Sequence, residues 1–571
     1  MLEFSSFTHL KDRPMLTFTQ TLTTLFNSKI TRLSTVTLAL GSLVVGSLNP
    51  AYAVVPAGTK LAAQQTLALA FPASPDTLDP NLLKFSADFK TLRPVFDTLT
   101  RLNNEGKYIP VGATSWDVSD DGLTWTFHLR KEAKWQDGKA VTAHDYVYSW
   151  RRLTDPKTAA PYGDYLAQAN VKNAKEVYSG KLPVSALGVK ALDDYTIQVQ
   201  LTYPTAWLYQ MFSSVMTAPV RKDLIAKYGE LWTNPDHFVG NGPYKIGYYR
   251  VNDQMVYDKW NGYWDAKNVH LTQVRHDYVK DPVTAYYRYL SGEYLVSDVP
   301  AQYLDLINKE RPKEVFHVPA GRTAYFSFNT QRIPDANVRK ALSLLTDRSM
   351  ITKQIIKSNV PTSAFASPYL DDLELVKQQP WFKQAQKTNV ATAVELLKQA
   401  GYTPANPLRL TLTQPSTPEN DKIYVALAGS WRQASGGLID LKQEAVEATS
   451  YYDKYNRTDY DLIIASYGMD YTQASTFYNI FLSDSPINNR KFISKEYDNL
   501  VVTANRSTDK ATRQKLYAQA NQVLVDGYQA APLWYVETLI LKKPQLKGYY
   551  TGLGVTYYQD MYIVANGNEK K

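Results

Sequence analysis

GATSWDVSDDGLTWTFHLRKEAKWQDGKAVTAHDYVYSWRRLTDP, residues 112–156, carries turn, strand and helix signals in immediate succession. Asp120-Asp121-Gly122 reads as a turn. From 124 to 129 the residues alternate, which sets Trp125, Phe127 and Leu129 on one face of a strand. Gln136-Asp137-Gly138 is a second turn. Thr142 and Asp145 then have capping-box spacing, with Asp in place of the usual Glu. The helix they open predicts an apolar stripe of Tyr146, Val147, Trp150 and Leu153.

The same grammar extends outward. Residues 187–202 predict a hairpin about Asp193-Asp194, and NGPY at 241–244 a turn into a strand over 245–249. A strand over 324–328 is followed by a turn at Pro334-Asp335. Asn337 is expected to cap a helix that turns Val338, Ala341, Leu342 and Leu345 inward. A further helix over 388–400 is closed by Gly401. Strands and helices alternate throughout, so the class is α/β. The chain has 571 residues, enough for two or three domains, and no internal repeat.

DLIIASYGMDYTQASTFYNIFL, residues 461–482, is the stretch with the most chemistry. A β-type apolar run over 462–465 leads through Ser466, Tyr467 and Gly468 to one carboxylate, Asp470, followed by Tyr471. One acid beside flat aromatics and a glycine-opened backbone suits a cationic group, such as the amino end of an extended peptide. The commoner fate of an acid after a strand is a solvated loop or a helix cap.

The first residues read as an export signal. Lys29 and Arg32 precede an apolar stretch over 36–48 that is too short to span a bilayer, and Ala51-Tyr52-Ala53 predicts cleavage after Ala53. Residues ahead of Met15 are unlike a signal, so Met15 is an alternative start. The chain has no cysteine, which removes disulfides, thiolate metal sites and a bacterial lipid anchor on cysteine. The expected location is therefore a bacterial periplasm. The net charge is +9, but acids and bases are interspersed and no basic run with interleaved aromatics occurs, so nucleic acid is not an expected partner.

Catalytic constellations are missing. There is no H-E-x-x-H, no G-x-S-x-G and no P-loop. His128, His144, His237, His270, His276 and His317 lie beyond the signal. His270 and His276 would share a strand face about 20 Å apart, which makes them ordinary surface histidines rather than a chelate. Asp371-Asp372 reads as a solvated loop. No catalytic, metal or cofactor site is expected.

Several long segments together resemble one family. Residues 112–156, then NGPY at 241–244 with NGYW at 261–264, then FNTQRIPDANVRKALSLLTDR at 328–348, are similar to landmarks of the peptide/nickel-type extracellular solute-binding proteins, family 5. YDLIIASYGMDYTQASTFYNIFLSD at 460–484 resembles the loop that holds the ligand amino group in the periplasmic oligopeptide-binding members. VPAGTKLAAQQTLAL at 55–69 and YYTGLGVTYYQDMYIV at 549–564 resemble the two ends of that subgroup.

The resemblance implies a two-lobed clamshell with an extra third domain. After the signal at 1–53, lobe I is placed at 54–97, 222–322 and 538–571, the extra domain at 98–221, and lobe II at 323–537. A peptide would lie between the lobes and pair with the backbone of Ser466, Tyr467 and Gly468, and with that near Phe85 and Ser86. Asp470 would take its ammonium, Tyr467 would form an aromatic wall, and Tyr162 or Tyr165 would reach in from the extra domain. The resemblance also implies a non-enzymatic, monomeric component of an ABC importer that meets membrane-embedded permease subunits. Binders of murein peptide, dipeptide, haem or nickel are alternatives within the class, nickel being disfavoured by the lack of a histidine cluster. A secreted hydrolase is the remote alternative.

Four positions depart from the family. Where members place a carboxylate-binding Arg six residues before the amino-binding Asp, this chain has Ile464. Where they carry a disulfide, it has Gly468 and Arg322, and an acidic position is Lys84. The family's mode of recognising the ligand's carboxyl end therefore does not carry over to this chain. Lys84 and Arg322 are candidate replacement cations, although a surface location is the simpler expectation for both. The change would suit longer peptides or a cell-wall-derived peptide carrying its acid elsewhere.

Overall fold

A computed structural model describes residues 55–565 except 104, 486, 489 and 550–554. The expected signal segment and its cleavage point lie outside the described residues. Among the described residues no helix is long and apolar enough to cross a membrane.

Three larger sheets organise the chain. In the first, Thr66–Phe71 pairs in parallel with Gln273–Tyr278, which runs antiparallel to Gln254–Lys259, itself antiparallel to Tyr244–Arg250. Strands from opposite sides of a long sequence gap thus form one layer. The second is antiparallel and contains Ala113–Val118, Thr124–Leu129, Thr196–Gln200 and Val189–Asp193 in that order. Trp125, Phe127 and Leu129 are buried, as their alternation predicts. Both sheets share a continuous apolar cluster.

The third sheet is seven-stranded and mixed. Its spine is two long antiparallel strands, Val315–Phe328 and Ala530–Lys542. The expected strand at 324–328 is only the end of the first. The register of this pair shifts between Pro319 and Arg322. Gly321 sits in that shift with φ +57°, and a Cβ there would lie 2.9 Å from the Met469 sulfur. A side chain is excluded by both conformation and space. Leu462–Gly468 pairs antiparallel with the far half of Val315–Phe328, and Leu408–Pro415 and Ile439–Val446 add parallel strands beyond it. Apolar clusters cover both faces. Leu462 joins one while Ile463 and Ala465 join the other, which is why 462–465 reads as an unbroken apolar run.

Helix ends largely follow local chemistry. Asp145 Oδ2 accepts from the Thr142 N–H at 2.8 Å, and Tyr146, Val147, Trp150 and Leu153 are buried along Ala143–Thr154. Gln386–Gln399 ends ahead of Gly401 at φ +88°. The cap of Ala336–Leu345 differs from expectation. Asp335, not Asn337, is the N-cap, because its carboxylate accepts from the Asn337 N–H at 2.8 Å. A charged acceptor one residue before the helix outcompetes an amide already inside it.

Two other expectations are corrected. Asp372 is not solvated: it is 1% exposed and its carboxylate accepts from Arg513 Nε at 2.6 Å. His276 is not a surface residue, and His270 lies outside the strand that holds it. The His276 ring is fully buried, stacks on Phe71 at 3.9 Å and lies 2.7 Å from Tyr558 Oη. Burial holds its pKa down at about 3, so it stays neutral.

Candidate functional site

Where Leu462–Gly468 runs past the end of its parallel neighbour, one of its edges loses its partner. Leu408–Pro415 pairs only with Leu462 and Ile463. The opposite edge stays paired to Arg322 opposite Gly468. Among the described residues, no strand pairs with the open edge beyond Ile463. Tyr451 Oη donates to the Ile464 carbonyl at 3.0 Å, which caps the first group on this stretch. Residues 465–468 then line a cavity of about 850 Å³.

Asp470 stands at the end of this open edge, in the same cavity. Tyr467 Oη donates to its Oδ2 at 2.8 Å, and its own N–H donates to Thr476 Oγ1 at 3.1 Å. Withdrawal from bulk water pushes the carboxyl up to about 6, against the opposing pull of the Tyr467 hydroxyl and the nearby Arg322 charge. A carboxylate held in this state gains from an arriving cation, which would restore its ordinary ionisation. Burial and the adjacent Asp470 charge push the Tyr467 phenol well above its usual range, so it remains a donor. Tyr467→Phe should remove that donor and push the Asp470 pKa higher. A titration of the unliganded variant by NMR should show a midpoint above that of the parent.

The facing wall is built by Lys84, Phe85, Ser86 and Phe89, and Tyr162 closes one side. The Phe85 and Tyr452 rings approach to 5.5 Å. Tyr162 meets Phe89 edge-on at 5.8 Å. Phe85 and Ser86 do not present a strand. Ser86 opens the helix Ser86–Leu92, and the N–H groups of Lys84 and Phe85 are already held by the Asp88 carboxylate at 2.9 and 2.8 Å. What this wall offers a ligand is aromatic surface and the first turn of a helix, not a ladder.

Tyr165 is the candidate that lies elsewhere. It is 1% exposed, and its hydroxyl donates to the Met211 carbonyl at 3.0 Å. Tyr162, three residues earlier, is the one that lines the cavity. Ile464 is also not among the lining residues; half-buried, it packs on the apolar cluster around Phe326 and Trp431. Arg322 and Lys84 both line the cavity. Lys84 is exposed there, while Arg322 is half-buried and donates from Nη1 to Ser466 Oγ at 3.1 Å.

Sequence reasoning did not find Tyr451, Tyr452, Tyr108 or Arg93, all of which line the cavity. The tyrosines at 451, 452 and 455 were a usable signal, since such density on one helix suits a recognition surface. Arg93 had no local signal. Among the described residues no group of three or more His, Cys, Asp or Glu is placed to hold a metal ion.

Comparison with known proteins places this geometry. Residues 107–489 match the family described as bacterial extracellular solute-binding proteins, family 5, middle region. The chain is 34% identical over 501 residues to the periplasmic oligopeptide-binding protein OppA of Haemophilus influenzae, covering 87% of this chain and 93% of that protein. The crystal structure of Haemophilus influenzae OppA in complex with RPPGFSPFR superposes with TM-score 0.82 at 32% identity, covering 89% of this chain and all of that one. The Escherichia coli murein tripeptide-binding protein MppA gives 0.83 at 33% identity, over 89% of this chain and 100% of its own. The fold is the α/β, two-lobed solute-binding architecture with an additional domain. The chain belongs to the bacterial extracellular solute-binding proteins of family 5.

Proposed function

We propose that this protein captures short peptides in the 850 Å³ cavity and hands them to the membrane-embedded permease of an ABC importer, acting as a monomer in the periplasm and catalysing nothing itself. The observation that carries the reading is the open edge at 465–468 ending on Asp470. An edge offers backbone N–H and C=O groups, which every peptide can pair with whatever its side chains. A lone carboxylate at the end of that edge fixes where the chain must start. The aromatic walls add apolar contact without reading one particular residue. The similarity to OppA and MppA, named for oligopeptide and murein tripeptide, supports the same class of ligand.

In this reading Ser466, Tyr467 and Gly468 pair with the ligand backbone, Asp470 takes its ammonium, and Phe85, Ser86 and Tyr162 face it from the other wall. In the same reading the lobes divide at about 322 and 537, with the extra domain at 98–221. The register shift between Pro319 and Arg322 lies at the first of these crossings and would let the two long strands flex.

Native mass spectrometry of freshly purified protein tests the function. The expected result is co-purified masses spaced as peptides, lost on denaturation. Ligand-free protein that neither binds added peptides nor protects itself with them, or that hydrolyses them, would overturn it.

A further inference from the structure

Two guanidinium groups line the cavity without an ion pair among the described residues. Arg322 lies directly opposite Gly468 across the strand pair. A Cβ on residue 468 would come within 3.0 Å of Arg322 Nη2, so the glycine is what allows the side chain to lie there. Its guanidinium donates from Nη1 to the Ser466 hydroxyl, a neutral partner, and among the described residues it forms no ion pair. Arg93 lines the same cavity, and its guanidinium makes neither a hydrogen bond nor an ion pair among the described residues. Both charges act on Lys90, which desolvation holds below its usual pKa against the pull of Asp298, with smaller lowering contributions from Arg93 and Arg322. The two arginines therefore share one electrostatic neighbourhood.

An enclosed guanidinium with unused donors is costly to cover unless an anion meets it. Its planar fork suits a carboxylate better than any neutral group. Position sets which carboxylate. Gly468 and Asp470 are two residues apart, at most about 7 Å between Cα atoms. A ligand strand advances about 3.3 Å per residue. If the ligand ammonium is on Asp470, a guanidinium over Gly468 falls beside the first two ligand residues. The acids of the cavity, Asp164, Asp453 and Asp470, would attract an ammonium-bearing side chain and repel an acidic one beside themselves, which leaves the arginine side as the place for a ligand acid.

We propose that Arg322 and Arg93 form a carboxylate subsite close to the amino-end anchor, so that this protein prefers peptides with a free amino end and an acidic group within their first two residues. The inference rests on the peptide reading above. It assigns the anion contact to the strand and helix that flank the cavity floor, where Ile464 contributes nothing.

Isothermal titration of the full-length secreted protein with Ala-Glu-Ala-Ala and Ala-Gln-Ala-Ala near neutral pH tests it. The wild-type protein should bind the Glu peptide about tenfold or more tighter than the Gln peptide. Arg322→Gln should reduce that preference, taken as the ratio of the two affinities within the variant, to about threefold or less, and Arg322→Lys should restore part of it. Arg93→Gln should reduce the preference independently. Equal wild-type affinity for both peptides would overturn the subsite and leave the peptide reading intact. A preference that survives in both Gln variants would overturn the assignment to these residues. If neither peptide binds at millimolar concentration, and no peptide co-purifies, both readings fall together.

Discussion

Asp470→Asn is expected to weaken peptide binding by about tenfold to a hundredfold, while making the empty protein more stable. The first effect follows from losing a charge-assisted contact with an ammonium, worth roughly 1.5–3 kcal/mol, at about 1.4 kcal/mol per decade. The second follows from the sign of the pKa shift. The folded carboxyl is raised from 3.8 to about 6. A raised folded pKa means that the group's contribution to stability is fully present below the unfolded value and is lost as pH rises through about 6. At neutral pH the native protein therefore carries a carboxylate it holds at a cost, which Asn removes. Part of that cost is relieved by solvent in the cavity, so a gain of about 1–2 kcal/mol is expected. Thermal unfolding of peptide-stripped protein measures it, and titration with a free-amine peptide measures the affinity. Unchanged affinity would remove Asp470 from the anchor role.

The same shift sets a pH profile. Binding needs an ionised Asp470 and a protonated ligand amine. Wild-type affinity should be flat near neutrality and fall below about pH 6, by up to tenfold per unit. Above about pH 8 it should fall again as the ligand's α-amino group loses its proton. In Asp470→Asn the acidic limb should vanish and the alkaline limb soften.

Asp560→Asn is expected to destabilise the protein by about 3–5 kcal/mol. Arg101 donates from Nη1 and Nη2 to the two Asp560 oxygens at 2.7 and 2.8 Å, across 459 residues of sequence. The side chains are 3% and 1% exposed. Burial alone would lower the Arg101 pKa, but the Asp560 charge overrides it and raises the group above its ordinary value. The pair stitches the short strand Thr100–Leu102 to the turn Tyr558–Asp560 near the C-terminus. Removing one partner strands a buried charge, whereas replacing both by apolar groups of similar volume is far less costly. Denaturant unfolding should therefore show a large loss for Asp560→Asn and a much smaller one for Arg101→Met with Asp560→Leu. A single variant within about 1 kcal/mol of the parent would contradict the buried-pair account.

What was legible in the sequence was whatever is decided within a few residues. The 124–129 strand and the 143–154 helix carry period, turn and cap together, so they could be placed directly. The N-cap of Ala336–Leu345 was misplaced because Asp335 and Asn337 are both acceptable caps, and only backbone geometry chooses. Tyr162 and Tyr165 were indistinguishable for a similar reason: three residues apart, one enters the cavity and the other the core. Asp372 and His276 looked like surface residues because their partners, Arg513 and Tyr558, are more than a hundred positions away. The fold brings Asp470, Tyr467 and Arg322 to one cavity, although a surface location was the simpler expectation for Arg322; that neither Arg93 nor Arg322 forms an ion pair among the described residues is legible only in the folded cavity.

The half-paired strand Leu462–Gly468 has a consequence for how the protein behaves in a crowded solution. An exposed strand edge is the usual template on which one molecule adds to another and aggregation begins. Here the unpaired part is about as long as a single short β-bridge segment, and it sits inside a cavity faced by Phe85 and Tyr452 rather than on the outer surface. A folded neighbour cannot bring a strand of its own to that edge; only a thin, unfolded chain can thread in. The opening therefore sorts incoming chains by their state of folding, and the protein can keep a reactive edge permanently available without becoming sticky toward its own copies.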